Sequence, residues 1–328
     1  MDLGRLDAVV RELFSAGLAA STRNSYRSGS KRYIEFCSSK SLNPFPVAER
    51  SLSLFLAYLY TEGLSGNTAK TYLAGIRYTQ IAMGLADPRI SEMQQLEYIV
   101  KGFRKLSGGK ARPRLPITPV ILEKLRKYWV SSSKLERHDS TMLWAASCMC
   151  FFGFLRTGEV VVPSDTGYDP AVHLSYGDVK VDEVRKPSYV EVTIKASKTD
   201  PFRKGVKVYL GTTGVALCPV AAILSYMVSR GSRPGPFFAF SDHRPLTRDR
   251  LVKEVRQAMQ VSGLDDKLYS GHSFRIGAAT TAASCGLQDS LIKTLGRWES
   301  AAYTIYIRTP RTELCGVAAK LVAAARQY

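Results

Sequence analysis

Between Ser21 and Lys105, apolar positions recur every three or four residues, the spacing of one helix face. In "STRNSYRSGSKRYIEFCSSK", a Ser/Thr cap candidate precedes Tyr26, Tyr33, Ile34 and Phe36, which fall together on a core-facing stripe. "VAERSLSLFLAYLYTEGLS" predicts a strongly apolar helix ended by Gly63. "SGNTAKTYLAGIRYTQIAMG" repeats the plan, with Ser65 as cap, Tyr72, Leu73 and Ile76 as core and Gly84 as stop. "PRISEMQQLEYIVKGFRKL" then completes a four-helix basic domain.

The pattern breaks at "SGGKARPRLPITP", where glycines, prolines and basic residues predict an extended linker suited to lie along a phosphate backbone. Beyond it, "PVILEKLRKYW" and "TMLWAASCMCFFGFL" predict helices. "SYVEVTIKASKTD" and "GVKVYLG" alternate in the manner of two strands around a turn. Helical spacing returns from "LTRDRLVKEVRQAMQ" to the end. The expected fold is mainly α with a small antiparallel β-sheet. It divides into a helical domain over residues 1–104, a basic linker over 105–118 and an α+β domain over 119–328.

Composition narrows the class of partner. The 328 residues are 45% hydrophobic and 23% charged, as a folded chain with a large core requires. The formal net charge is +18, and no block of six basic residues carries it, so the charge belongs to folded faces and favours a polyanion such as nucleic acid. Six cysteines at 37, 148, 150, 218, 285 and 315 form no CxxC pair and read as reduced, mostly buried thiols of an intracellular protein. The start "MDLGRLDAVVRELFSAGL" is amphipathic with acids, unlike a secretory signal. No apolar run reaches the roughly 18 residues that span a bilayer, so no membrane partner is expected.

Chemistry-bearing residues gather in the second half. "GHSFRIGAATTAA" sets His272 and Arg275 one helical turn apart at a helix start, where free backbone N–H groups invite an anion. "FLRTGEV" holds Arg156 and Glu159, "KASKTDPFRKG" holds Lys195 and Lys198, and "LGRWESAAYTIYIR" holds Arg297, Trp298, Tyr303 and Tyr306. Taken singly, each has an ordinary reading: a surface ion pair, a turn lysine, a cap histidine, a core aromatic. Their order is what changes the odds.

That order resembles the tyrosine recombinase or phage integrase family: Arg and Glu on a helix, Lys in a β-hairpin, His-x-x-Arg, a His or Trp, then Tyr. The helical first half and basic linker are similar to that family's core-binding domain. "SKTDPFR", "HSFRIGAATTAA" and "LGRWES" look most like the recombinases of eukaryotic Crypton and DIRS-like mobile elements. The resemblance implies a clamp around double-stranded DNA and work as a synaptic tetramer, without cofactor, metal or small-molecule substrate. If the eukaryotic subgroup holds, it also implies a nuclear location.

Physical chemistry explains why such residues belong together. Two guanidiniums, Arg156 and Arg275, can hold the nonbridging oxygens of a phosphodiester and stabilise charge added in the transition state. His272 would bond the same phosphate or accept the attacking proton. A tyrosine hydroxyl, with its ordinary pKa of about 10, attacks well only in such an electropositive setting. By the family pattern Tyr306 becomes a 3′-phosphotyrosine, with Tyr303 as the other candidate. Lys198, preferred over Lys195, protonates the leaving 5′ oxygen, and Glu159 orients a neighbour.

One departure stands out. The family places its His or Trp nine residues before the nucleophile, where this chain has Arg297, with Trp298 at eight. Either Arg297 takes the phosphate contact above a packed Trp298, or a shifted turn brings Trp298 to the site. The closing "RTELCGVAAKLVAAARQY" predicts an amphipathic helix that docks on its own domain or on a neighbouring protomer. Two rival outcomes remain at this level: a catalytically silent DNA-binding protein of the same descent, and a topoisomerase of the IB kind.

Overall fold

The computed structural model describes residues 2–107, 113–183, 185–198, 200 and 202–308. The expected C-terminal helix, and the middle of the expected linker, lie outside them. The chain divides into two compact units, Met1–Arg112 and Pro113–Tyr328.

In the first unit, α2 (Ala20–Ser39), α3 (Glu49–Thr61), α4 (Gly66–Ala82) and α5 (Gln94–Ser107) surround a core of Tyr33, Phe36, Leu52, Phe55, Leu56, Leu73, Ile76 and Phe103. These are the stripes read from the sequence. Gly63 and Gly84 follow the ends of α3 and α4 in left-handed conformation, as helix stops do. Ser65 caps α4 by accepting the Thr68 N–H at 3.1 Å. Ser65→Ala is expected to cost about 1 kcal/mol, read by denaturant unfolding. The amphipathic start forms its own helix, α1 (Leu3–Ala16), which contributes no buried residue. α2 begins one residue ahead of the Ser21 cap candidate, after an Ala19 that offers no side-chain cap.

The second unit is organised on α7 (Arg137–Phe152), whose residues from Met142 to Phe151 are all buried. Around it pack α6 (Pro119–Ser131), a single turn α8 (Thr157–Val160), α9 (Pro219–Arg230) and α11 (His272–Ser284), with α10 (Arg248–Val261) against α6. The three strands β1 (Val179–Val181), β2 (Tyr189–Ile194) and β3 (Val206–Gly211) form one antiparallel sheet in that order. In β2, Val190, Val192 and Ile194 are buried and alternate with more exposed positions, which is the pattern that reveals the strand. β1 has three residues and leaves no such signal.

Helix α9 was not expected. "PVAAILSYMVSR" is apolar nearly all round, so it lacks a moving stripe and merges with the strand-rich segment before it. Its packing against α7 overrides that ambiguity, with Pro219 at the first position and Cys218 as an unusual cap accepting the Ala221 N–H.

Candidate active site

Helix α7 ends at Gly153, and Phe154 turns the chain with φ 51°. Arg156 therefore stands as the N-cap of α8 rather than within a helix. Glu159 folds back on it: one carboxylate oxygen accepts the Arg156 backbone N–H at 2.9 Å, and the other accepts Arg156 Nη1 at 2.9 Å. The same carboxylate takes Arg297 Nη2 at 2.8 Å. A buried carboxylate is costly without partners, and Glu159 has a guanidinium on either side.

Helix α11 approaches this turn closely, because any side chain at Gly271 would collide with the Thr157 side chain. His272 begins the helix on the exposed rim, while Arg275, one turn on, is fully buried. Arg275 Nη1 donates to the Phe154 carbonyl at 2.8 Å and Nη2 to the Gly296 carbonyl; its Nε has no hydrogen-bond partner among the described residues. Burial, reinforced by Arg156 and Arg297, pushes its pKa down to about 10.

Helix α12 (Asp289–Gly296) closes the site. Arg297 caps it in left-handed conformation, with φ 54°, and the indole of Trp298 folds back over Gly296, where no side chain would fit. The Arg275 guanidinium lies 4.4 Å from the Trp298 ring centre and 5.7 Å from that of Tyr306. Trp298 and Tyr306 are tilted together at 5.3 Å. A 3₁₀ helix, Ala301–Tyr306, carries both tyrosines. Thr280 of α11 holds its end by donating to the Tyr306 carbonyl at 3.2 Å and accepting the Arg308 N–H at 3.1 Å. The Tyr303 ring also meets Trp298, at 6.2 Å, but its hydroxyl bonds the Asp289 carboxylate, which raises its pKa.

The β2–β3 hairpin distinguishes the two lysines. Lys195 pairs with Asp178 at 2.6 Å and donates to the Pro170 carbonyl at 2.7 Å. Lys198 is exposed in the turn beyond β2, and its charge reaches His272.

No protein-family profile matches the chain. An integrase/recombinase XerD homolog of Selenomonas ruminantium is 21% identical over 294 residues, covering 85% of this chain and 78% of that protein. XerH site-specific recombinase, in a post-cleavage complex with its palindromic difH substrate, superposes with a TM-score of 0.59 at 16% identity, over 90% of this chain and 78% of XerH. A lambda integrase dimer bound to a COC′ core site gives 0.59 at 17% identity, over 92% and 94%. The Tn1549 transposon integrase with circular intermediate DNA gives 0.55 at 12% identity, over 95% and 98%. The fold is that of the tyrosine recombinases.

Within this recombinase fold, Arg156, Glu159, Arg275, Arg297, Trp298 and Tyr306 meet around one centre, with His272 on its rim. Tyr303 and Lys195 are engaged elsewhere. Trp298 packs against the Arg275 guanidinium, while Arg297 turns toward Glu159. Two features escaped the sequence reading. Arg248 stands near His272, because the α10 start is tied to the chain leaving α8 by its backbone N–H to the Val162 carbonyl, 3.1 Å. "LTRDR" signals only a helix start. Thr280 is one of two adjacent threonines in a small-residue run, and nothing in sequence marks it as the latch.

Partial desolvation lowers the His272 pKa below its ordinary 6.5, and the charges of Arg248, Arg156, Arg275 and Lys198 add to the effect. The imidazole is therefore neutral at pH 7, ready to accept a proton. On acidification the unfolded chain protonates this residue first. Its contribution to stability is thus intact above pH 6.5 and declines as pH falls through the lower folded value. His272→Gln is expected to flatten part of the stability loss between about pH 7 and 5, read by thermal melting across that range.

Proposed function

We propose that this chain is a tyrosine-type site-specific recombinase that breaks and rejoins double-stranded DNA. The observation that carries the reading is the convergence of Tyr306 on Arg275, with its ring 5.7 Å from the guanidinium and tilted against Trp298, beside the Arg156–Glu159–Arg297 cluster.

Cleavage needs an electropositive cradle, a nucleophile and two proton transfers. Arg156 and Arg275 bind the nonbridging oxygens and favour the charge that develops at phosphorus. His272, neutral and on the rim, accepts the Tyr306 proton. The tyrosine oxygen bonds to phosphorus as the 5′ oxygen leaves, and Lys198, exposed on its hairpin, protonates that oxygen. The 3′-phosphotyrosine keeps the bond energy, and attack by a 5′ hydroxyl of another strand reverses the step to complete exchange.

Full burial of Arg275 adds a condition: DNA must draw the Trp298–Tyr306 segment aside before a phosphate reaches the guanidinium. The same burial is the one observation favouring a silent DNA-binding protein, in which Arg275 merely staples carbonyls. The likeness of "SKTDPFR" and "LGRWES" to Crypton and DIRS-like recombinases supports service to a mobile element and, in a eukaryotic host, a nuclear location, while work as a tetramer on DNA follows from the resemblance to the recombinase family as a whole.

The test uses nicked duplexes with randomised arms, from which a short 5′ fragment diffuses after cleavage. The expected result is an SDS-resistant protein–DNA adduct whose modified peptide contains Tyr306. Tight DNA binding without an adduct would favour the silent reading.

A further inference from the structure

Arg297 occupies a position that ordinary folding economy would give to glycine. It ends α12 with φ 54° and ψ 48°, a conformation that other residues adopt at a cost and that glycine takes freely. Its guanidinium is also largely out of water, with 15% of the side chain exposed. Burial lowers its pKa, against the pull of Glu159. An exposed turn has no use for either expense. The compensation is the 2.8 Å contact of Nη2 with Glu159, the carboxylate that also holds Arg156, supplemented by Nη1 donating to the Gly153 carbonyl at 3.4 Å.

We infer that Arg297 is a positioning residue for strand cleavage, acting through Glu159 rather than touching DNA. This rests on the recombinase reading above. Two consequences follow from the contacts. Glu159 divides its charge between two guanidiniums, so Arg156 spends Nη1 on it and keeps other N–H groups for a phosphate. The bond also ties the turn that carries Trp298 to the turn that carries Arg156. That link joins the indole packed on Arg275 and Tyr306 to the other arm of the clamp. With three arginines against one glutamate, the cluster retains a net positive charge for an incoming phosphodiester.

The test compares Arg297→Gly, Arg297→Lys, Glu159→Gln and the Arg297→Gly/Glu159→Gln double variant on the same nicked duplexes. The readouts are single-turnover adduct formation at saturating DNA, DNA affinity with its salt dependence, and melting temperature. Arg297→Gly suits the left-handed turn, so it isolates the guanidinium from the backbone; should it melt early, Arg297→Lys carries the comparison. The expected result is a fall of about 10²-fold in adduct rate, as a small misplacement of reacting groups produces, with affinity and salt slope unchanged. Arg297→Lys recovers part of the rate, because an ammonium can still meet Glu159. In the Glu159→Gln background, loss of Arg297 adds little.

Weaker binding with a salt slope reduced by about one would instead make Arg297 a direct phosphate ligand and overturn the inference. Additive losses with Glu159→Gln, or an unchanged rate in Arg297→Gly, would overturn it as well. Failure of the unaltered chain to form any adduct is a different result, because it removes the recombinase reading itself.

Discussion

Tyr306→Phe forms no covalent adduct with nicked DNA and binds that DNA as tightly as the unaltered chain, whereas Tyr303→Phe still forms the adduct. The expectation follows from where the two hydroxyls stand. Both tyrosines share one 3₁₀ helix, three residues apart, and both rings meet Trp298, but among the described residues it is the Tyr306 ring that lies beside the Arg275 guanidinium, at 5.7 Å. Tyr303 is buried with its hydroxyl on Asp289 and Lys293 5.5 Å from its ring centre, and the raised pKa makes it a poorer nucleophile. Phenylalanine keeps the ring at 306, and therefore the tilted contact with Trp298 and the Thr280 bond to the backbone carbonyl, so the fold has no reason to change. What is removed is the oxygen that bonds to phosphorus, and no neighbour can supply it. Gel separation under SDS reads the adduct, and fluorescence anisotropy reads the affinity. An adduct that persists in Tyr306→Phe and vanishes in Tyr303→Phe would reverse the assignment and require the 3₁₀ segment to rearrange on DNA.

Much of this was legible because the physics that shapes the chain is local. Stripes of Tyr33, Leu52, Leu73 and their neighbours declare helices of the first unit, and Ser65, Gly63 and Gly84 mark boundaries through backbone chemistry that needs no tertiary information. Alternation exposes β2. Illegible were features decided by packing: α9, apolar all round, and β1, too short to alternate. At the site, side-by-side letters hide opposite fates. Arg297 and Trp298 are consecutive, yet a left-handed turn sends one to Glu159 and folds the other against Arg275. His272 and Arg275 share a helix at a spacing of three, yet one is on the rim and the other has no exposed surface, because the segment carrying Trp298 and Tyr306 covers only the second. Periodicity gives the face of a helix, not what a distant segment lays over it.

Arg275→Met tests whether that covered arginine is kept for chemistry. A buried cation is expensive, and the depressed pKa of Arg275 records the cost: its surroundings disfavour the charged form by burial and by two nearby arginines. Removing such a charge relieves the penalty of holding a cation out of water. Against this, the carbonyls of Phe154 and Gly296 lose their donors, at about 1–3 kcal/mol each. These effects oppose one another, so the variant is expected to melt within a few degrees of the unaltered chain. Cleavage has no such compensation. Losing one preorganised donor to a developing oxyanion costs about 10²–10³-fold, and Arg275 would remove a full charge as well as donors, so adduct formation falls by at least that factor at saturating DNA. A rate loss with little stability loss marks a residue whose burial the fold tolerates for the reaction. The opposite pattern, an early-melting variant whose folded fraction still forms adduct at the normal rate, would make Arg275 a structural staple and leave Arg156 as the guanidinium that meets the phosphate.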